Sequence, residues 1–224
     1  MNKQKNNSQI SFDGMPNPAA INADQVSKVD LVALLSVPSI GNMRALELIN
    51  SFESTAAIFA APAREISKSV NLPLDIGKAI VEAGKNLQDA EKLVDKAGKN
   101  DINIVTFWDD DYPNRLKSIS NAPVLLYVRG QASPLYDFAV AMVGTRAAST
   151  HGKNMALKIA TKLASAGITI VSGMALGIDS ASHVGALRAG GRTIAVLGTG
   201  VDVIYPSANR KIYDQILEQG AVIS

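Results

Sequence analysis

The sequence predicts an α/β protein: a Rossmann-like, doubly wound, mostly parallel sheet, incomplete as it stands, preceded by a small all-α domain. Three observations carry this. From residue 138 onward, near-continuous apolar stretches alternate with helical stretches, the pattern of strands buried in a parallel sheet. Those apolar stretches run into glycine-containing turns. Before residue 100 the periodicity is helical only.

Taken in order, residues 1–25 are rich in Asn, Ser, Lys and Gln, carry Pro16 and Pro18, and read as a flexible arm. Residues 26–100 read as the helical domain, with Leu31, Leu34, Leu35 and then Ala45, Leu46, Leu48, Ile49 at helical spacing. Two passages, Pro38-Ser39-Ile40-Gly41 and Pro73-Leu74-Asp75-Ile76-Gly77, each lead into a helix and suggest two repeated helical hairpins. The second opens a long helix over about residues 73–97, with Gly98 as its stop. Residues 101–224 read as the sheet domain with an N-terminal extension. In that extension, strands are expected over 102–107 and 123–128, with a turn at 109–113 between them and a junction at 131–137. Four more strands start near Ala139, Ile168, Thr193 and Ala221, separated by helices over about 153–166, 179–189 and 209–219. If these four run in the order 3-2-1-4, a ligand crevice lies between the first and fourth.

Composition removes several function classes. The 224 residues include no Cys, which excludes disulfides, thiolate metal sites and Cys nucleophiles. No apolar run approaches the roughly 20 residues of a membrane span, and no export signal follows the N-terminal lysines. A soluble, non-exported chain is the expectation. The net charge of +2 is uneven: residues 1–138 balance at −2 and residues 139–224 at +4. That asymmetry by itself fits charge scatter and a polyanion partner alike.

The chemistry-bearing residues are in three loops at strand C-terminal ends. They are Gly144-Thr145-Arg146-Ala147-Ala148-Ser149, Ser172-Gly173-Met174-Ala175-Leu176-Gly177-Ile178-Asp179 and Gly198-Thr199-Gly200. Glycine lets backbone N–H groups approach an anion, and helix N-termini add positive potential. Arg146 supplies a planar fork for a phosphate. Glycines also simply make tight turns, but three such loops around an arginine favour a phosphate-bearing ligand. The candidate binding residues are Gly144, Thr145, Arg146, Ser149, Gly152, Lys153, Ser172, Gly173, Gly177, Asn209 and Arg210, with no catalytic residue, metal or cofactor. Lys211 adds charge beside Arg210, or only a solvated face; Arg192 precedes a strand and stands at the opposite end from the loops. Asp179 and His183, four apart, share a helix face. They are either an acid/base pair or, more simply, a helix cap and a packed histidine. Known nucleotide motifs fail. Gly198-Thr199-Gly200 lacks the third glycine of a dinucleotide fingerprint, having Val203 there, and Gly152-Lys153 is followed by Asn154 where a P-loop needs Ser or Thr.

Met142-Val143-Gly144-Thr145-Arg146, Ser149, Gly152, Val171-Ser172-Gly173, Gly177-Ile178-Asp179, His183, Thr193, Gly200, Tyr205-Pro206 and Asn209 resemble the signature of the DNA-processing protein A (DprA/Smf) family. Upstream, Asp111-Tyr112-Pro113, Leu116, Pro123, Leu126-Tyr127 and Gly130 match the preceding segment. The resemblance covers about residues 26–224. It implies a cytoplasmic, non-catalytic protein that binds single-stranded DNA, protects it and loads the RecA recombinase during natural transformation. It further implies a homodimer when full length, and a helical domain that is sterile-alpha-motif-like or helix-hairpin-helix-like. Thr145 stands where the family has Ser, and His151 where an aromatic is frequent. Ser39 replaces the first glycine of an ideal hairpin, which weakens that hairpin as a DNA contact. The family continues beyond the position of Ser224, so a C-terminally truncated chain with an unpaired apolar edge strand is expected. The other class of reading is an enzyme acting on a nucleoside phosphate, because the core also resembles lysine-decarboxylase-like phosphoribohydrolases. Their P-G-G-x-G-T-x-x-E motif has no counterpart here.

Overall fold

The computed structural model describes residues 21–131 and 138–224. Most of the expected arm and the junction at 132–137 lie outside the described residues. The chain divides into two units, Met1–Leu87 with Ser120–Ala122, and Gln88–Ile119 with Pro123–Ser224.

The first unit is all helical: α1 (Lys28–Leu35), α2 (Asn42–Phe52), α3 (Thr55–Ala60), α4 (Ala63–Ser69) and α5 (Leu74–Lys85). The periodic residues of the sequence form its core, with Leu31, Leu34, Ala45, Leu48, Ile49, Ile58, Ile66 and Ile80 buried. Ser27 caps α1 by accepting from the Asp30 N–H, and Ser54 caps α3 by accepting from the Ala57 N–H. The Thr55 hydroxyl donates to Asp30 Oδ2 at 2.8 Å, which ties α3 to the first turn of α1. The two Ile-Gly passages do different work. Gly41 is the N-cap of α2, whereas Gly77 lies inside α5, where a Cβ would strike the Ala63 carbonyl and Ser67.

The long helix expected over 73–97 is two helices, α5 and α6 (Gln88–Lys99). Asn86 leaves the helical region (φ −129°, ψ 75°) and closes α5 with its N–H on the Ala83 carbonyl. Asn offers the backbone local alternatives to the helix. Apolar periodicity does not register that interruption, and the passage between units falls at this break.

The second unit contains α6, β1 (Ile102–Thr106), α7 (Asn114–Lys117), β2 (Leu125–Gly130), β3 (Ala139–Ala141), α8 (Thr150–Ser165), β4 (Thr169–Ser172), α9 (Ile178–Arg188), β5 (Thr193–Val196), α10 (Arg210–Gln219) and β6 (Ala221–Ile223). Among the described residues these strands form one six-stranded sheet in the order β1-β2-β6-β5-β4-β3. The pairs β3–β4, β4–β5 and β5–β6 are parallel; β1–β2 and β2–β6 are antiparallel. The mixed α/β architecture is therefore as the sequence predicts.

Two expectations are corrected. The four strands β3, β4, β5 and β6 lie in sequential order rather than 3-2-1-4, so β3 and β6 are not neighbours and hold no crevice between them. The physical reason is the winding. Helix α8 packs on α9 and α9 on α10, so the three crossovers share one face. Right-handed crossovers on one face step the sheet in one direction. Likewise, the final apolar strand is not an unpaired edge. β6 is bonded to β5 on one side and β2 on the other, and Tyr127 exchanges both backbone hydrogen bonds with Ser224. The outer strands are β1 and β3.

Candidate functional site

The C-terminal ends of β3, β4 and β5 point the same way, so the loops that follow them lie side by side. The first loop, 142–149, enters α8. Ser149 is the N-cap of α8, and its Oγ accepts from the Gly152 N–H at 3.1 Å. Thr145 Oγ1 accepts from the Ala147 N–H at 3.2 Å, a local hydroxyl turn that shapes the approach to the helix. Thr145, Arg146, Ser149, His151 and Lys153 are all exposed. The amides of the first helical turn, at Thr150 and His151, have no intrahelical acceptor by helix geometry.

The second loop, 173–177, is tied to the first through its own backbone. The Ile178 N–H donates to the Thr145 carbonyl at 3.3 Å. Gly177 has φ +86° and lies against the Thr145 and Arg146 carbonyls, where any Cβ would collide. Gly144 is similarly pressed against Ile178, whose Cγ1 would lie 2.6 Å from an added Cβ. Glycine at 144 and 177 is thus required for loop-on-loop packing, whatever else the site does.

A buried polar brace holds the second loop. Asp179 Oδ2 accepts from the Gly173 N–H at 3.2 Å and more distantly from the Ala175 N–H at 3.4 Å. The carboxylate occupies the place an external anion would need at those amides. The Ser172 hydroxyl donates to the Met142 carbonyl at 2.6 Å. Asn209 is buried; its Nδ2 donates to the Met174 carbonyl at 2.6 Å and to Ser180 Oγ at 2.9 Å. Met174, buried with φ +61°, is thereby held in a left-handed conformation that non-glycine residues rarely adopt.

The eleven sequence candidates therefore separate. Thr145, Arg146, Ser149 and Lys153 form an exposed group at the start of α8, with Gly152 half-buried beneath them. Arg210 is exposed with Lys211 in the first turn of α10, which carries no acidic residue. Cations at a helix N-terminus oppose the helix dipole, so neither side chain is there to stabilise α10. Ser172 and Asn209 are buried and organise the loops, while Gly173 is exposed with its N–H taken by Asp179. The bracing role of Asn209 was missed by sequence reasoning, because its partner Ser180 is 29 residues away. Asp179 and His183 are not a pair. Asp179 serves the loop amides, while His183 Nδ1 lies 2.7 Å from Thr193 Oγ1 on β5. Arg192 directly precedes β5, at the opposite end of that strand from the loops. Among the described residues no cluster of His, Asp or Glu is arranged to hold a metal ion.

The part of the chain that carries these residues matches a known family. The model of DNA recombination-mediator protein A matches residues 103–224, which include every candidate residue above. The chain belongs to the DNA recombination-mediator protein A family. Protein Smf of Synechocystis sp. is 40% identical over 149 residues, 65% of this chain and 37% of that protein. DNA processing protein DprA of Streptococcus pneumoniae is 47% identical over 116 residues, 52% of this chain and 41% of that protein. The crystal structure of S. pneumoniae DprA superposes with a TM-score of 0.74 at 31% identity, covering 89% of this chain and 68% of that one. The chain thus spans about two fifths of the length of these curated relatives.

Proposed function

We propose that this chain binds single-stranded DNA through its phosphates and acts as a recombination mediator, protecting the strand and loading the RecA recombinase during natural transformation. The observation that carries this reading is Arg146, exposed at the open start of α8 on a loop clamped to Gly177, in a chain of the recombination-mediator family. Phosphate oxygens dock on the Arg146 fork and on the first-turn amides of α8, with the Thr145 and Ser149 hydroxyls beside them. Lys153, Arg210 and Lys211 extend the positive surface along the neighbouring loops. The backbone amides at Gly173 are not part of the cradle, because Asp179 uses that position. The role is binding and delivery rather than catalysis, and the setting is the cytoplasm, with a homodimer as the working form.

Fluorescence anisotropy with a labelled oligodeoxythymidylate tests the reading. Affinity falls steeply with salt, with a slope of roughly −0.7 per phosphate neutralised on a log–log plot. Arg146→Ala weakens binding to all sequences alike and makes that slope shallower by about one phosphate. Salt-independent binding, or an unchanged Kd for Arg146→Ala, defeats the phosphate reading. Release of free base from nucleoside monophosphates would instead establish a phosphoribohydrolase. RecA filament growth on the oligonucleotide, with and without the chain, tests the delivery step.

A further inference from the structure

The cationic loops carry an apolar component that phosphate binding does not use. On the loop after β5, Tyr205 is 67% exposed and Val203 49% exposed; on the loop after β4, Leu176 is 47% exposed. Large apolar side chains scattered singly over a surface need no explanation. These sit on adjacent loops at the strand end where the loop with exposed Arg146 also lies, and the Tyr205 loop leads into α10 with exposed Arg210 and Lys211. Their backbone is held in place. The Ser180 hydroxyl and N–H both donate to the Ala175 carbonyl, one residue before Leu176. The loop that carries Tyr205 runs directly into the Ser207–Asn209 turn, where Asn209 is anchored on the Met174 carbonyl.

We propose that Tyr205 is a base-stacking platform, with Leu176 and Val203 as its apolar flank, so that the site selects strands whose bases are unpaired. This rests on the phosphate-binding reading above and adds the second half of the ligand. A nucleic-acid strand with splayed bases presents negative phosphates and uncharged flat faces at once. A duplex hides those faces within its stack. Aromatic rings hold successive bases without regard to sequence, because each base has a π-face. The cations take the backbone and the tyrosine takes a base. The charge of the surrounding surface selects this occupant over an apolar segment of another protein.

The test uses the 224-residue chain and three probes of equal length: oligodeoxythymidylate, the corresponding duplex, and a strand of abasic sugars with the same phosphate charge. Tyr205→Ala lowers affinity for oligodeoxythymidylate by roughly five- to a hundredfold and leaves affinity for the abasic strand unchanged. Tyr205→Phe and Tyr205→Trp keep the affinity for oligodeoxythymidylate. The wild-type chain binds the single strand more tightly than the duplex. If Tyr205→Ala is silent, or weakens base-bearing and abasic strands equally, the platform is wrong while the salt slope and Arg146→Ala still report on the phosphate site. If none of the probes binds in a salt-dependent way, both readings fall together. A Tyr205→Ala variant that alters only sedimentation assigns the apolar rim to contacts between copies and overturns the proposal.

Discussion

His183 is buried in α9, and its hydrogen bonds fix its chemistry. The Thr193 hydroxyl donates to the Ile170 carbonyl at 2.8 Å, so it accepts from the His183 Nδ1–H at 2.7 Å. His183 Nε2 then faces the interior as a bare acceptor, without a partner among the described residues. Burial pushes the pKa of His183 down from 6.5 to about 4. The unfolded chain therefore binds a proton between those pH values that the folded chain refuses. Stability is complete above about pH 6.5 and falls as pH drops toward 4, by about 3 kcal/mol at the lower end of the window. Denaturant midpoints of His183→Asn, which keeps an N–H donor for Thr193, lose this dependence across the window. Asn209 gives a second residue-scale prediction. Asn209→Ala leaves the buried Met174 carbonyl unpaired and costs about 1–3 kcal/mol in chemical denaturation. Because Met174 then relaxes from its left-handed conformation, oligonucleotide affinity falls as well, although Asn209 touches no solvent-facing ligand.

At the scale of elements, the seam between α8 and α9 positions the candidate site. Ala156, Ala160 and Ala164 of α8 are buried, and Gly185 and Ala186 of α9 face them. An added Cβ at Gly185 would lie 2.8 Å from Ala160 Cβ, and Thr161 Oγ1 donates to the Gly185 carbonyl at 3.0 Å. Small residues allow the two backbones this approach, which sets where the start of α8 stands against the start of α9. Gly185→Val overpacks the seam and destabilises by about 1–3 kcal/mol, read as a lower denaturant midpoint. The seam is visible in the sequence only as an alanine-rich stretch, because small residues give little hydrophobic periodicity. The same limit accounts for α5 and α6. Their apolar spacing continues smoothly through Asn86, and only the backbone break separates them.

Across the whole molecule, the alternation of apolar strand and helix from residue 138 is legible because strands buried on both faces read as continuous apolar runs. The exposed half of the candidate site, Thr145, Arg146, Ser149 and Lys153, is legible too, because glycine turns followed by a capped helix mark the ends of strands. The family match covers residues 103–224, a stretch that includes the same loops. Sequence by itself therefore determined the α/β class, the helical core residues, the loops that carry the candidate site and the family. Tertiary structure alone decided the order β3-β4-β5-β6, the pairing of β6 with β2, and which glycines serve packing. It also decided that Asp179 fills the anion position at Gly173 and that Asn209 braces Met174. The physical reason is range. Periodicity and capping are set by neighbours a few residues apart, whereas strand order, loop-on-loop contact and buried hydrogen bonds join residues distant in sequence, and nothing local records their partners.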